Sequence, residues 1–426
     1  MIQTLSRATR FHGKPKIPGD KSISHRGLIF GALAEGRTEV TDILESEDVQ
    51  STARILTDLG TQITREGNKT WVDGLGERGF RTPSGILDCG NSGTTIRLMM
   101  GVLSGRNVIA TLTGDSSLVK RPMKRVAEPL RQMGAQFSLS NTDYAPLTVT
   151  GSRLKGIDYH LKIASAQIKS AILLAALSAE GITTIRGEIH SRDHTERLLD
   201  YFGVSVDQTP SSVSVRGGQR LQARPVHVPG DPSTAAFWMG AACLIPGSSI
   251  EMDNIALNPT RIGFLRAIQR MGAHVSIETT SEKPEPIGKI HVTPGKLRGI
   301  HITAAEVPTL IDELPLLAVL ATQATGETLV EGAEELRVKE SDRIEAVAIG
   351  LRAMGAEIEV RADGFRIRGP QKLHGAAIQS FHDHRIAMAF SIAALVAEGV
   401  TQIQGAECVG ISYPGFYSTL TELTRG

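Results

Sequence analysis

The chain has 426 residues, with 46 Lys and Arg against 45 Asp and Glu and a formal net charge of +1 at pH 7. This length exceeds that of one ordinary hydrophobic core, so we expect two or more domains. The balanced charge and the aromatic content of 4% argue against nucleic-acid binding, which draws on basic excess and stacking rings. A composition of 41% hydrophobic and 21% charged residues is typical of a folded globular protein.

Neither the cysteines nor the apolar segments indicate a secreted or membrane protein. Cys89, Cys243 and Cys408 lie far apart and form no CxxC pair, so the sequence supports neither a disulfide framework nor a cysteine-rich zinc site. Residues 1–13 lack the apolar region of a signal peptide. The longest nearly apolar run, 386–397, is too short to span a bilayer. We therefore expect a cytoplasmic protein.

A helix of small apolar residues, then a glycine, then a β-rich run recurs six times along the chain. The glycines of this first series are Gly36, Gly105, Gly181, Gly247, Gly326 and Gly399. Their period is close to one sixth of the 426-residue chain. Helices with so few charges are buried nearly all round, so we predict six inner helices.

A second series of amphipathic helices alternates with the first, and each ends in a glycine before an alternating run. These glycines are Gly60, Gly134, Gly203, Gly272 and Gly355. Each fits the position after a helix C-cap, where positive φ favours glycine. A sixth copy would be the segment 416–426. The sequence thus predicts six α/β repeats whose charged helices lie outside.

Six repeats with buried inner helices predict two lobes of three repeats each. Two similar segments, KIPGDKS at 16–22 and HVPGDPS at 227–233, contain Pro and Gly and are candidate hinges. We therefore expect one lobe to comprise 1–18 plus 230–426, and the other to comprise 19–229.

Positive side chains lie at the predicted starts of several inner helices. They are Lys21, Arg26, Arg97, Lys169 and Arg385. A cation at a helix N-terminus opposes the macrodipole unless an anion lies between them. Backbone N–H groups together with Lys or Arg form phosphate and carboxylate sites. One such cation is more often simply solvated, but several parallel cases indicate an anionic ligand.

Two further segments concentrate charge. VKRPMKR at 119–125 is basic, and 336–346 contains a mixed cluster of Lys339, Glu340, Asp342 and Arg343 within about one and a half predicted helical turns. An ion-paired solvated face is one interpretation. An acid–base and anion-binding site is the other. Asp312 and Glu313 lie at the start of an apolar helix. They either interact with the helix dipole or act as functional carboxylates.

Common nucleotide and metal motifs are missing or poorly placed. GLGERG at 74–79 matches a dinucleotide-binding pattern, but no helix pattern follows it, so a turn-rich loop is predicted. Two histidine pairs have metal-ligand spacing: His190 with His194, and His382 with His384. Arg192 and Arg385 inside these clusters would repel a cation. We predict no metal site.

Nine segments together resemble a known enzyme family. They are GDKSISHR, GNSGTTIR, KRPM, SAQIKSA, SRDHTERLL, PGDPSTAAF, IDELP, RVKESDR and HDHRIAMAF. In this order, from residue 16 to about 415, they resemble the EPSP synthases (3-phosphoshikimate 1-carboxyvinyltransferases), with second-class features in SAQIKS and SRDHTE. The resemblance implies an α/β fold, a two-lobed inverse α/β barrel of six βαβαββ repeats with three per lobe, and an active site in the cleft between lobes.

The resemblance also implies a reaction. The family transfers the enolpyruvyl group of phosphoenolpyruvate to the 5-hydroxyl of shikimate 3-phosphate and releases phosphate, a shikimate-pathway step of aromatic amino acid biosynthesis. It uses neither metal nor cofactor. The implied partners are these two small-molecule substrates, with no nucleic acid and no membrane, and we expect a monomer.

Residue roles follow from the matching motifs. The implied ligands of shikimate 3-phosphate are Lys21, Ser22, Arg26, Ser165, Gln167, Arg192, Asp312 and Lys339. The implied ligands of phosphoenolpyruvate are Lys21, Gly93, Arg121, Gln167, Arg343 and Arg385. Asp312 resembles the base that takes the 5-hydroxyl proton. Glu340 and Lys21 are the candidates for proton transfer at the methylene carbon, in an order left open.

The sequence departs from the common family pattern at three places, and rival functions stay open. It has Ser165-Ala166-Gln167 where many members carry Ser-Ser-Gln. The segment 410–414 offers no Lys where members commonly contact phosphoenolpyruvate, and Glu335 stands where an Asn is common. UDP-N-acetylglucosamine enolpyruvyl transferases share the fold and the donor, but they carry a loop Cys that 116–124 lacks. A non-catalytic phospho-ligand binding protein is a second rival, and a metallohydrolase using the four histidines is a third.

Overall fold

The computed structural model describes residues 1–425. The chain divides into two compact units. The terminal unit consists of Met1–Pro18 and the chain from Pro229 onward, and the central unit is Gly19–Val228. Each unit has its own hydrophobic core.

Strands and helices are interspersed along residues 1–425. The strands are β1 (Ile2–Ser6), β2 (His12–Gly13), β3 (Arg37–Thr41), β4 (Gln62–Glu66), β5 (Lys69–Asp73), β6 (Leu87–Asp88), β7 (Ile109–Thr113), β8 (Gln136–Ser140), β9 (Tyr144–Thr150), β10 (Leu154–Lys155), β11 (Asp158–Leu161), β12 (Ala179–Glu180), β13 (Ile182–Gly187), β14 (Val206–Thr209), β15 (Ser212–Arg216), β16 (Val226–His227), β17 (Ser249–Ala256), β18 (His274–Ser281), β19 (Ile287–Thr293), β20 (His301–Ile302), β21 (Gly326–Val330), β22 (Glu359–Arg361), β23 (Gly364–Gly369), β24 (Ala377–Gln379) and β25 (Val400–Gln404). The helices are α1 (Lys21–Leu33), α2 (Glu47–Asp58), α3 (Gly93–Ser104), α4 (Lys124–Gln132), α5 (Ala166–Ala176), α6 (His194–Tyr201), α7 (Pro232–Leu244), α8 (Gly263–Met271), α9 (Leu314–Gln323), α10 (Arg343–Ala353), α11 (His384–Ala394) and α12 (Phe416–Thr424).

The central unit contains three four-stranded sheets of the same design. Their orders are β16-β3-β5-β4, β6-β7-β9-β8 and β11-β13-β15-β14. In each sheet the first two strands are parallel and the other neighbours are antiparallel. The last strand of the unit, β16, pairs with β3 through Val226 and Val40. The first repeat is therefore completed by the end of the unit.

The terminal unit repeats this design with one variation. Its sheets are β18-β19-β17-β2, β20-β21-β23-β22 and β1-β25-β24. The predicted sixth copy forms α12, and the N-terminal strand β1 pairs antiparallel with β25 from Ile2 to Ser6. The six repeats predicted from the glycines are therefore present, three in each unit.

The two helix series differ in burial as predicted. The inner helices α1, α3, α5, α7, α9 and α11 are buried on nearly every side, as α7 is from Pro232 to Cys243. The alternating helices bury one face, such as Val126, Ala127 and Leu130 of α4. An apolar helix covered all round exposes only its ends. Charged residues at the start of such a helix are therefore the ones available to a ligand.

The glycines after the outer helices have the predicted left-handed backbone. Their φ angles run from 83° at Gly355 to 108° at Gly272, which is itself the C-cap of α8. Gly105 in the first series differs, with φ of −101°. A Cβ there would lie 2.4 Å from Ser178 Cβ, so close packing rather than backbone conformation requires glycine.

The sequence motifs without a predicted function have plain structural positions. GLGERG forms a loop with a 3-10 turn at Gly76–Arg78. Cys89, Cys243 and Cys408 are buried free thiols. Within residues 1–425, no helix combines the length and the apolar character that crossing a bilayer requires.

Candidate active site

The inner helices begin at side-chain caps that fix the residues of their first turn. The caps that accept a backbone N–H are Asp20, Ser92, Ser165, Asp231 and Asp383. Helix α9 instead follows a 3-10 turn at Ile311–Glu313. Asp and Ser hold the first turn because their side chains satisfy otherwise unpaired N–H groups. Predicted residues such as Lys21, Gly93 and Arg385 therefore lie in capped first helical turns.

In the central unit, three predicted phosphoenolpyruvate ligands meet at the N-terminus of α3. Arg97 Nη1 donates to Gln167 Oε1 at 2.6 Å. A Cβ placed on Gly93 would lie 3.0 Å from Arg97 Nη1 and 3.5 Å from Arg121 Nη1. A helix N-terminus flanked by two guanidinium groups is suited to a phosphate. Arg97 was predicted as a cation at a helix start, but its place beside these ligands was missed.

Arg121 is held by the loop that precedes α3. Its Nη2 donates to Asn91 Oδ1 at 2.9 Å and to Ser117 Oγ at 3.1 Å. Asn91 Nδ2 in turn donates to Asp115 Oδ2 at 2.7 Å. These two acceptors of Arg121 Nη2 are neutral, so the contacts orient the guanidinium without cancelling its charge.

Lys21, the first residue of α1, forms an ion pair with α2. Its Nζ lies 2.7 Å from Asp48 Oδ2, and the two side chains are 25% and 6% exposed. The lysine is thus partly open to a ligand, while its partner carboxylate is inside the protein. Asp48 has no signature in the sequence beyond its place in the first turn of an amphipathic helix.

Arg26 lies deeper than a surface ligand, with 3% of its surface exposed. Its Nε donates to Thr195 Oγ1 and its Nη2 to Ser170 Oγ, both at 2.8 Å. Its Nη1 donates to the carbonyl of Ser22 at 3.1 Å. Arg26 therefore ties α1 to α5 and α6, in addition to any contact with a ligand.

His25 is the start of a buried hydrogen-bond chain. Its Nδ1 lies 2.8 Å from Thr52 Oγ1. The chain continues from Thr52 through Thr95 to Ser92, the cap of α3. Burial and two neighbouring positive charges lower the pKa of His25 well below its ordinary value. The imidazole is therefore neutral and connects the starts of α1 and α3.

The remaining predicted ligands of the central unit lie around α5. Ser165 is its N-cap and accepts the backbone N–H of Ile168. Gln167 follows in the first turn, where its Nε2 donates to Thr94 Oγ1 at 3.3 Å. Arg192 is half-buried in the segment before α6. Apart from Arg121, which precedes α4, the predicted residues of this unit thus lie near the starts of α1, α3, α5 and α6.

In the terminal unit, Arg343 is surrounded by carboxylates and is 1% exposed. It donates from Nε and Nη2 to Asp383 at 2.8 and 3.2 Å. It also donates from Nη1 to Asp312 at 3.0 Å and from Nη2 to Glu340 at 2.7 Å. Burial alone would lower the pKa of Arg343, but the three carboxylates raise it above its ordinary value.

Asp312 and Glu340, the two carboxylates predicted for proton transfer, lie beside Arg343 together with Lys339, an implied ligand of shikimate 3-phosphate. Asp312 Oδ1 lies 3.8 Å from Lys339 Nζ, and the two side chains are 16% and 30% exposed. The expectation that Lys339 and Glu340 share one helix with Arg343 was wrong. The segment Glu334–Val338 is a 3-10 turn, and α10 begins only at Arg343. Asp342 separates the two elements because it is the N-cap of α10.

Arg385 is a buried guanidinium with fewer carboxylates in contact than Arg343 has. Its Nη1 donates to the carbonyl of Ser233 at 3.1 Å and lies 3.5 Å from Glu313 Oε1. Burial, which outweighs the attraction of Arg385, raises the pKa of Glu313. Within residues 1–425, Arg385 Nε is buried and has no hydrogen-bond partner. This side chain is therefore suited to a ligand carboxylate.

The other predicted positions take no part in these clusters. Among residues 1–425, no group of three or more His, Cys, Asp or Glu is arranged to hold a metal ion. His190 and His382 are exposed, whereas His194 and His384 are buried. Glu335 lies in the 3-10 turn before Lys339.

Comparison with known proteins gives one consistent result. The family model for EPSP synthase (3-phosphoshikimate 1-carboxyvinyltransferase) matches residues 5–420. The 3-phosphoshikimate 1-carboxyvinyltransferase of Bacillus cytotoxicus is 47% identical over 424 residues, which cover 99% of this chain and all of that protein. The Bacillus subtilis protein of the same name is 46% identical, with coverage of 100% and 98%. A solved EPSP synthase from Acinetobacter baumannii has a TM-score of 0.89 at 42% identity and covers 99% of this chain and 98% of its own. The chain belongs to the EPSP synthase family.

Proposed function

We propose that this protein transfers the enolpyruvyl group of phosphoenolpyruvate to the 5-hydroxyl of shikimate 3-phosphate, giving 5-enolpyruvylshikimate 3-phosphate and phosphate. Both substrates carry phosphate and carboxylate groups, and the cations of both units match these charges. The protein as a whole is nearly neutral, so its positive charge is concentrated locally. The observation that carries the proposal is the meeting of Gly93, Arg97, Arg121 and Gln167 at one helix end.

Phosphoenolpyruvate binds through its two ends in this proposal. Gly93 N–H, Arg121 and Gln167 hold the phosphate, with Arg97 as an additional donor, and Lys21 contributes a further positive charge. The carboxylate binds Arg385 and Arg343. Because Arg343 already faces Asp312, Glu340 and Asp383, Arg385 provides most of the net attraction for this group.

Shikimate 3-phosphate binds at the starts of α1, α5 and α6. Its proposed ligands are Lys21, Ser22, Arg26, Ser165, Gln167 and Arg192, with Asp312 and Lys339 for the hydroxyl side. Arg26 has its Nε and Nη2 committed to Thr195 and Ser170. Its share in binding is therefore through charge and through the position of α1.

The chemistry needs one proton to leave an alcohol and another to reach carbon. Asp312 accepts the 5-hydroxyl proton as the alcohol oxygen attacks C2 of phosphoenolpyruvate, and C3 gains a proton to become a methyl group. The positive charges of Arg343 and Lys339, at 3.0 and 3.8 Å, stabilise the ionised form that Asp312 needs as a base. Loss of a methyl proton and of phosphate then restores the double bond. Glu340 and Lys21 are the candidates for the two transfers at C3.

A phosphate-release assay on the purified protein tests the proposal. Release is expected only when phosphoenolpyruvate and shikimate 3-phosphate are both present, and Asp312→Asn is expected to lower kcat by about 100-fold or more. Asp253→Asn, a partly exposed carboxylate of the same unit that pairs with Lys14, is the matched control and keeps full activity. Release with UDP-N-acetylglucosamine as acceptor, but not with shikimate 3-phosphate, would overturn the proposal in favour of the related transferase.

A cytoplasmic monomer remains our prediction for location and assembly. Static light scattering on the purified protein should give a mass near 45.6 kDa. A mass of twice this value would contradict the monomer.

A further inference from the structure

A buried ion pair in the central unit is not accounted for by the proposed chemistry. Lys169 Nζ of α5 lies 2.6 Å from Glu196 Oε1 of α6, and each side chain is only 3% exposed. Removing two such charges from water is costly, and well-packed apolar residues in their place are often as stable. Stability alone therefore does not explain why a Lys and a Glu occupy these positions.

The lysine also holds the backbone of a neighbouring segment. Its ammonium group donates to the carbonyl of Ile189 at 3.0 Å and to that of Ser191 at 3.3 Å. With the Glu196 contact, all three N–H donors of the ammonium have an acceptor. The two carbonyls flank His190, and Arg192 follows directly. Lys169 therefore fixes the backbone from which Arg192 extends.

The pair also links this backbone to the rest of the site. Lys169 lies two residues after Gln167 and four after Ser165, at the start of α5. Its neighbour Ser170 and the neighbour of Glu196, Thr195, are the two hydroxyl acceptors of Arg26. The starts of α5 and α6 thus bind the side chain of Arg26 directly. They also hold the backbone from which Arg192 extends.

We propose that the Lys169–Glu196 pair is a positioning device that sets the segment 189–191 and so places Arg192 against the phosphate of the ring substrate. This rests on the proposed function. Neither residue of the pair touches the substrate. Their charges are used because an ammonium can hold two carbonyls and a carboxylate in one fixed geometry, which apolar side chains of similar volume cannot.

The test uses Lys169→Met combined with Glu196→Met in the full-length protein. The double variant keeps similar volume and leaves no unpaired buried charge, whereas either single change would leave one. We expect KM for shikimate 3-phosphate to rise by about 10–100-fold, with KM for phosphoenolpyruvate and kcat within about twofold. Amide hydrogen exchange of 187–193 should become at least about fivefold faster. The control is Lys69→Met with Glu39→Met, a Lys–Glu pair at 2.9 Å in the same unit that is 50% and 24% exposed, and it should change neither readout.

The two readouts separate this inference from the proposed function. If the double variant folds and both KM for shikimate 3-phosphate and exchange at 187–193 match the wild type, the positioning role is wrong. Equal losses in both KM values and in kcat would indicate a general structural role and would also overturn it. If the wild type itself releases no phosphate, the proposed function fails. Faster amide exchange at 187–193 in the double variant would still support the role of the ion pair in fixing the segment 189–191. Should the double variant not fold, Glu196→Gln, which keeps the shape and removes one charge, is measured in the same way.

Discussion

Asp383→Asn is the change whose cost can be worked out most fully from the structure. Asp383 is fully buried, and each of its oxygens accepts two hydrogen bonds. Oδ1 accepts from the backbone of Arg385 at 2.9 Å and from Arg343 Nη2 at 3.2 Å. Oδ2 accepts from Arg343 Nε at 2.8 Å and from Ser341 Oγ at 2.9 Å. An amide can satisfy only one of these two sides.

The less costly orientation keeps the amide oxygen at the Oδ1 position. The NH2 group then faces Ser341, whose hydroxyl can rotate to accept, and Arg343 Nε, which cannot. A buried donor without a partner costs about 1–3 kcal/mol, and replacing a charged acceptor by a neutral one costs about 1 kcal/mol more. Because Asp312 and Glu340 still compensate Arg343, we expect a loss of about 2–4 kcal/mol in the free energy of unfolding, at the lower edge of a broken buried ion pair.

Urea unfolding followed by tryptophan fluorescence measures this loss of stability in the terminal unit, which contains Asp383. The chain has two tryptophans, and Trp238 is buried in the core of the terminal unit. In a Trp71→Phe background, Trp238 alone reports on the unit that contains Asp383. Asp253→Asn, which removes a partly exposed ion pair with Lys14 in the same unit, should cost much less stability than Asp383→Asn, because exposed ion pairs contribute little. An equal midpoint for Asp383→Asn and its parent would refute the reasoning about the buried network.

Three further predictions concern the central unit. Gly93→Ala should raise KM for phosphoenolpyruvate, because its Cβ would lie 3.0 Å from Arg97 Nη1; an unchanged KM in steady-state assays would contradict the placement of the phosphate. Arg121→Ala should weaken kcat/KM for phosphoenolpyruvate by about 2–4 kcal/mol, whereas Arg131→Ala, which removes an exposed contact with the backbone carbonyl of Phe137, should be neutral in the same assay. His25→Asn should flatten the loss of stability in acid. The pKa of His25 is lowered in the folded protein, so its contribution is present above the unfolded-state pKa of about 6.5 and is lost as pH falls, by up to about 1.4 kcal/mol per pH unit. Urea unfolding between about pH 5 and 7, which brackets that unfolded-state pKa, checks this, and parallel losses in the two proteins would count against a neutral buried histidine.

The repeat architecture could be predicted because it depends on local signals. The glycines that end the outer helices, such as Gly60 and Gly272, adopt a left-handed backbone that other residues rarely take. The apolar inner helices are equally visible in sequence. The completion of the sixth repeat by β1 could not be predicted, because the pairing of Ile2 with Gln404 joins distant segments and leaves no local pattern.

The sequence names candidate site residues, which stay predictions, but it does not reveal the contacts that orient them. Lys21 and Arg385 were identified from motifs and from their place at helix starts, and Arg121 from a motif within a basic segment. The partners that orient them, such as Asp48 and Asn91, come from loops and helices elsewhere along the chain. Burial is also invisible in sequence, since the same guanidinium can be a solvated ligand or a deep structural contact. For this reason the hydrogen bonds of Arg26 and Arg97 emerged only from the folded structure.

The most direct measurement is the stoichiometry of the reaction with natural substrates. Purified protein is incubated with phosphoenolpyruvate and shikimate 3-phosphate, and both the released phosphate and the enolpyruvyl ether at the 5-oxygen are quantified by 31P and 1H NMR. We predict one phosphate per enolpyruvyl ether and no turnover when either substrate is omitted. Folded protein that releases no phosphate with both substrates, or that releases it without forming the ether, would contradict the proposed transfer.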